Sequence, residues 1–340
     1  MVMTISARDT RRSVRMLALA GVLAALVAVV LASIALGSYR LPLGAVFHAL
    51  FAYDGSYSDV VVRDTRLPRT LLGIVAGMAL GLAGALLQSV TRNPIAEPGI
   101  LGINHGAAVL IVFASATFGI TAPSQLVWFA FVGSFGATAL VYAIGGSRGA
   151  GSPLRLALAG VAVQAMFVGI NQAMMVIDTR TLDRMRFWLV GSLANRDLSD
   201  LTGLVPFFVA GVVLALLLGR SLNAIALGDD AAHGLGAKPA VIRLLGMVAV
   251  GLLAAVATAA CGPIAFVGLM VPHLVRLVAG QDERWVLGLS VLAAPVVLLA
   301  CDILGRLVAG SAELQVGIVT DVVGGLVFVF LIRRLRTVRK

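Results

Sequence analysis

Side chains able to do chemistry are few in this chain, and their types point to recognition of charge instead of catalysis. The four histidines, at 48, 105, 233 and 273, are dispersed, and Cys261 and Cys301 lie inside apolar segments. Neither a metal cluster nor a disulfide framework is expected from that distribution. No Gly-x-x-x-x-Gly-Lys-Ser/Thr loop occurs, and neither lysine, Lys238 or Lys340, follows a glycine, so the chain holds no P-loop ATPase. A Gly-x-Ser-x-Gly elbow and a His-Glu-x-x-His helix are also missing. What remains is arginine. Arg66, Arg69 and Arg306 sit at the ends of apolar runs, and Arg306 lies four residues after Asp302, where an intrahelical ion pair can form. The functional alternative for these three is a cationic ring that receives an acidic partner.

A second polar feature interrupts the hydrophobic pattern after Gln88. The apolar segment 67–90 has no charge except Arg69 and is long enough to cross a bilayer with some tilt. Its glycines at 73, 77, 81 and 84 repeat at helical spacing, which lets another helix approach closely. Pro94 and Pro98 then break the backbone before a further apolar segment begins. Irregular backbone at membrane depth is tolerated only against protein or a cavity, so this break marks a buried seam or a pathway.

The elements that must position these residues are membrane helices. The chain has 340 residues, 60% of them hydrophobic and 12% charged, with a mean hydropathy of +1.02. A soluble domain carries about twice that share of charge. The net charge of +10 is arginine scattered through short loops and tails, which reads as membrane topology and not as nucleic-acid binding. Ten spans are expected, at 16–36, 67–90, 100–118, 124–144, 154–176, 201–219, 241–260, 263–279, 286–309 and 318–332. The first lacks a small-residue cleavage site after it and reads as a retained helix. The whole chain, 1–340, is expected to be one transmembrane domain with tails at 1–15 and 333–340.

An even count puts both termini on one side, and their arginines place that side in the cytoplasm. The outer exceptions are then Arg40, Arg63, Arg66, Arg69, Arg180, Arg184, Arg186, Arg196 and Arg306. An internal repeat at an offset of 169 residues relates Gly77-Met78 to Gly246-Met247 and Pro94-Ile95-Ala96 to Pro263-Ile264-Ala265. Its two copies would run in opposite directions, as in the inverted repeats of transporters. The longest cytoplasmic connection, 220–240, reads as two short helices joined at Gly228, with Asp229 capping the second and Gly236 ending it. Such an element suits docking to a soluble partner, or lies on the membrane surface. Intramembrane acids are limited to Asp302 and Asp321, which weighs against an ion-coupled carrier.

Five segments together carry a family likeness. Arg66-Leu-Pro-Arg69, Asn93-Pro-x-Ala-Glu-Pro-Gly-x-Leu-Gly102, Leu227-Gly228 with Leu235-Gly236, Phe266-Val-Gly-Leu-x-x-Pro-His273 and Glu313-Leu-x-Val-Gly-Ile-Val-Thr320 occur in one order. The chain resembles, from about Arg40 to Arg334, the FecCD permeases of bacterial ABC importers for ferric siderophores, haem and cobalamin. Gln315 departs from the proline usual after Glu-Leu in that family.

The resemblance implies an all-α integral membrane protein with the type II ABC importer fold: ten transmembrane helices in two inverted-repeat halves. It implies a second permease subunit, identical or paralogous, and two cytoplasmic ATPases that bind ATP-Mg, with no cofactor on this chain. It also implies an extracytoplasmic binding protein, periplasmic or lipid-anchored, that delivers a ferric siderophore, with haem or cobalamin as alternatives. By position, Arg66, Arg69 and Arg306 match the arginines that dock the binding protein. Leu227, Gly228, Asp229, Asp230, Ala232, His233, Leu235 and Gly236 match the coupling segment, and Asn93 and Ile95 part of the inner gate. Asn104, Gln164, Asn171 and Gln172 are candidates to line the pathway, or equally to bond helices together.

Overall fold

The computed structural model describes residues 2–37, 41–146, 153–177, 188, 190–194, 202–309 and 314–337. Among them every regular element is a helix. In chain order these are α1 (Val2–Ala35), α2 (Leu43–Phe51), α3 (Tyr57–Val60), α4 (Leu67–Thr91), α5 (Ile103–Phe118), α6 (Pro123–Gly145) and α7 (Pro153–Ile177). They continue as α8 (Val205–Ala226), α9 (Asp229–Gly234), α10 (Pro239–Cys261), α11 (Val267–Ala279), α12 (Glu283–Ala309) and α13 (Val316–Thr337). A π-helical turn, Val61–Arg66, feeds α4, and a 3-10 turn, Pro98–Leu101, precedes α5.

Each expected span overlaps one apolar helix. Seven described helices are long and apolar enough to cross a membrane, while Ile103–Phe118, Val267–Ala279 and Val316–Phe330 are shorter apolar helices. The 13 residues of α11 rise only about 20 Å, less than the hydrocarbon core of about 30 Å. Helix α1 begins at Val2, so the amino-terminal tail is largely helical. One expectation is corrected: α8 runs unbroken to Ala226, so its end is not a separate short helix.

Helix α4 forms the centre. It is buried along most of its length and packs against α10 and α12. Its glycines are where these helices meet. A methyl group at Gly77 would stand 2.6 Å from Pro295 Cα, one at Gly81 2.5 Å from Ala294 Cβ, and one at Gly84 1.9 Å from Gly268 O. No side chain fits those positions, which is the close approach the spacing predicts. Outward, α7, α8 and α13 expose Leu158, Val161, Leu217, Leu326 and Phe330. Apolar surface on that scale belongs against lipid or another subunit.

Candidate functional site

At one end of α4 the three arginines come together, but not as free cations. Arg66, Arg69 and Arg306 are 6%, 6% and 3% exposed. Arg69 grips Asp302 through Nε at 3.2 Å and Nη2 at 2.9 Å, while Arg306 Nη2 lies 3.1 Å from the other carboxylate oxygen. The intrahelical pair between Asp302 and Arg306 therefore forms. The remaining donors cap α1: Arg66 Nη1 donates to Ile34 O and Ala35 O at 2.7 and 2.9 Å, and Arg306 Nη1 to Ser33 O and Leu36 O at 2.9 and 2.8 Å. A helix leaves its last four carbonyls without partners, and these guanidinium groups take them up. The expected outward cationic ring is thus revised: the charges are directed inward, where they tie α1, α4 and α12 into one end of the bundle. Arg40, Arg180, Arg184, Arg186, Arg196 and Glu313 lie outside the described residues.

At the other end, α4 stops on Arg92 in the left-handed conformation, φ 50°. Asn93 N donates to Gln88 O and Arg92 N to Ser89 O, which closes the helix without a glycine. Asn93 then shapes the break, its Oδ1 accepting from Ile95 N at 3.1 Å, and Ile95 stands more than half exposed. Glu97, unassigned by sequence reasoning, accepts from the N–H of Phe266, which is the other non-glycine residue at positive φ (65°) among the described residues. Its partner is a backbone donor at the second Pro-Ile-Ala break, so the two breaks touch.

Beside Arg92 lies the segment expected to couple to a soluble partner. Gly228 has φ 109°, which glycine alone adopts freely, and sets α9 at an angle to α8. Gly236, at φ 78°, ends α9 in a Schellman turn, with Ala237 N to Ala232 O and Gly236 N to His233 O both at 2.9 Å. The capping role expected for Asp229 is corrected. Its carboxylate leaves the helix end and bonds Arg92 Nη2, with Arg243 Nη2 at 2.7 and 3.0 Å. Burial by itself would raise the pKa of Asp229, but Arg243 and then Arg92 outweigh it and hold the carboxyl below its usual value. Ala232 is buried, Asp230 and His233 are exposed, and Leu227 and Leu235 are each 68% exposed. Two exposed leucines flanking a charged turn fit a soluble partner, because an unpartnered loop gains nothing by showing them to water.

The four pathway candidates separate. Asn104 Oδ1 accepts from Thr258 Oγ1 at 3.2 Å, and buried Asn171 donates to His105 O at 3.2 Å, so both bond helix to helix. Gln164 is half-buried, and Gln172 is exposed on α7 along the same face as Leu158 and Val161. A larger polar network went unassigned by sequence reasoning. Arg276 donates to Gln88 Oε1 at 2.6 Å, to Ser89 Oγ at 3.0 Å and to Glu283 at 3.0 and 3.1 Å, and Asn223 joins Asp282 and the Glu283 N–H. Its signal was the run of polar residues at 281–284, beside the end of α11.

The histidines are dispersed, yet His48 meets two aspartates. Its Nδ1 lies 3.4 Å from Asp59 Oδ1 and its Nε2 3.9 Å from Asp54 Oδ2, while the Asp54 N–H donates to Asp59 Oδ2 at 2.9 Å.

A bundle whose described elements are all helices, with apolar outer faces, a polar break beside its central helix and a charged turn between glycines at one end, has the architecture of a multi-pass membrane transport protein. The FecCD transport family profile matches residues 25–334, and the chain belongs to that family. The ferric enterobactin transport permease FepD of Escherichia coli is 43% identical over 94% of this chain and 96% of its own length. The probable siderophore transport permease YfiZ of Bacillus subtilis is 39% identical over 85% and 87%. A solved structure described as an inward-facing metal-chelate type ABC transporter superposes with a TM-score of 0.81, at 28% identity over 94% of this chain and 99% of that one.

Proposed function

We propose that this chain is the permease subunit of an ATP-driven importer and forms, with a second permease subunit, the route for a ferric siderophore. The observation that carries the reading is full-length likeness to the ferric enterobactin permease. The absence of a P-loop from the sequence supports a separate ATPase, and the exposed Leu227 and Leu235 on α9 support where it docks. In this reading the seven long helices and the three shorter apolar ones all cross a bacterial cytoplasmic membrane, both termini face the cytoplasm, and α4 and α10 are equivalent members of inverted halves. The contact of Glu97 with Phe266, 169 residues apart, supports that symmetry, because the repeat offset makes them equivalent positions.

The mechanism follows from the two ends. A loaded binding protein docks on the outer end, where Arg66, Arg69 and Arg306 act from beneath by fixing α1 against α4 and α12. ATP-driven closure of the ATPases moves α9, and the break at Asn93 to Ile95 opens or closes between the two permease subunits. Gln172, exposed on α7, would face the route if α7 lines the second subunit; Gln164 is half-buried, and Asn104 and Asn171 hold the helices that would frame the route. ATP hydrolysis belongs to the partner, and iron is cargo.

The test is ATPase activity of the purified complex in nanodiscs with binding protein that is empty or loaded with ferric enterobactin, a ferric hydroxamate, haem or cobalamin. Stimulation by a ferric siderophore is expected. Stimulation by haem or cobalamin alone would replace the substrate, and failure of any ATPase to co-purify would overturn the importer.

A further inference from the structure

Arg92 is placed where the coupling turn and the polar break meet. It ends α4, one residue before Asn93, and its guanidinium crosses to bond Asp229 on α9 and Ile225 O at the end of α8. Arg243, near the start of α10, holds the same carboxylate, sharing Oδ1 with Arg92 and reaching Oδ2 as well. Asp229 therefore joins the ends of two long helices, α4 and α10, to one short element.

That element is built to move as a unit. Gly228 and Gly236, both at positive φ, stand at its two ends, and a side chain at Gly228, Gly234 or Gly236 would meet nothing within 4 Å. Tilting α9 costs little packing, since only Ala232 is buried. The hydrogen-bonded turn at Asn93 is stiff by comparison, with Asn93 N to Gln88 O, Ala96 N to Asn93 O and Ile95 N to Asn93 Oδ1. A pull on the Arg92 side chain thus shifts the break as a body.

We infer that Arg92 is a positioning residue of transport, the charged link through which displacement of α9 moves the gate at Asn93 and Ile95. The inference rests on the importer reading and adds to it a specific transmitting contact. An arginine is not what a left-handed turn asks for; glycine would serve the backbone better. The side chain is the reason for the residue. The pair is partly exposed, so its value lies in coupling and little in stability.

The test uses the permease–ATPase complex in nanodiscs, with Ile95→Cys as a reporter; Cys261 and Cys301 are buried. Thiol labelling at the reporter is timed without nucleotide and with ATP plus vanadate. In the parent, nucleotide is expected to change the rate about tenfold, in the range usual for coupled sites. Arg92→Gly, which eases the turn and removes the charge, should abolish that dependence while the ATPase still co-purifies and hydrolyses ATP. Asp229→Asn, which removes the acceptor, should likewise abolish the dependence of labelling on nucleotide, and Arg92→Lys should restore most of it. Nucleotide-dependent labelling that survives intact in Arg92→Gly would overturn the link and leave the importer standing. A parent complex whose labelling ignores nucleotide would overturn the gate at Asn93 and Ile95 and the link with it, whereas a permease that brings no ATPase through purification would overturn the importer reading itself.

Discussion

Asp302 has no exposed surface, yet it faces two guanidinium groups at hydrogen-bond distance. A buried carboxylate is tolerable only with such partners, and the partners depend on it equally. Asp302→Asn would leave Arg69 and Arg306 facing each other across a neutral amide. Thermal unfolding in detergent should show a loss of about 3–5 kcal/mol, whereas Arg284→Gln, at an exposed pair, should cost less than about 1 kcal/mol. Equal effects would remove the bracing role of the cluster. Asp229 behaves differently because it lies at the surface. Its folded pKa is depressed, so its pairing is fully present above the unfolded value of about 3.9 and is lost only as pH falls through the lower folded value. The stability difference between wild type and Asp229→Asn should therefore stay flat from about pH 5 to 8; a gap that closes near neutral pH would contradict the pairing.

Helix α4 shows what an element needs from its sequence. At Gly84 even one carbon would overlap Gly268 O, and the atoms in the way are backbone, which cannot swing aside. Gly84→Ala should separate α4 from α11 and lower the unfolding temperature, with overpacking costing at least about 1–3 kcal/mol. Gly21→Ala on α1, with nothing within 4 Å, should be neutral or slightly stabilising. Identical behaviour of the two variants would deny α4 its central place. This packing was legible in the sequence because close approach leaves a periodic record of small residues, and the apolar runs likewise marked the long helices. Other features left no such record. Helices α2 and α3 are shorter than any span-sized window, and the break at Leu227-Gly228 hid the continuation of α8 to Ala226. Arg66, Arg69 and Arg306 were legible as a group, but their direction was not: their acceptors are mostly carbonyls of α1, and backbone acceptors carry no residue signature. Glu97 escaped for the same reason, since its partner is the N–H of Phe266.

Across the whole molecule, charge gathers at two levels separated by apolar helix. The 25 residues of α4 rise about 37 Å, enough to put Arg66 and Arg92 on opposite sides of a hydrocarbon core of about 30 Å. Arg63, Arg66, Arg69 and Arg306 share one level through α1, α2 and α12. Arg15, Arg92, Arg243 and Arg276 share the other with Asp229, Asp282 and Glu283. Both levels are basic, so arginine density alone decides the orientation weakly; the exposed leucines of α9 decide it better, because the ATP that drives an importer is on the cytoplasmic side. The level of Arg92 should then be cytoplasmic. In intact cells, a membrane-impermeant thiol reagent should label Tyr57→Cys, an exposed position near the Arg66 level, and leave Lys238→Cys unlabelled until the membrane is opened. The reverse pattern would turn the molecule over, put α9 out of reach of any ATPase, and return Leu227 and Leu235 to the status of surface residues without a partner.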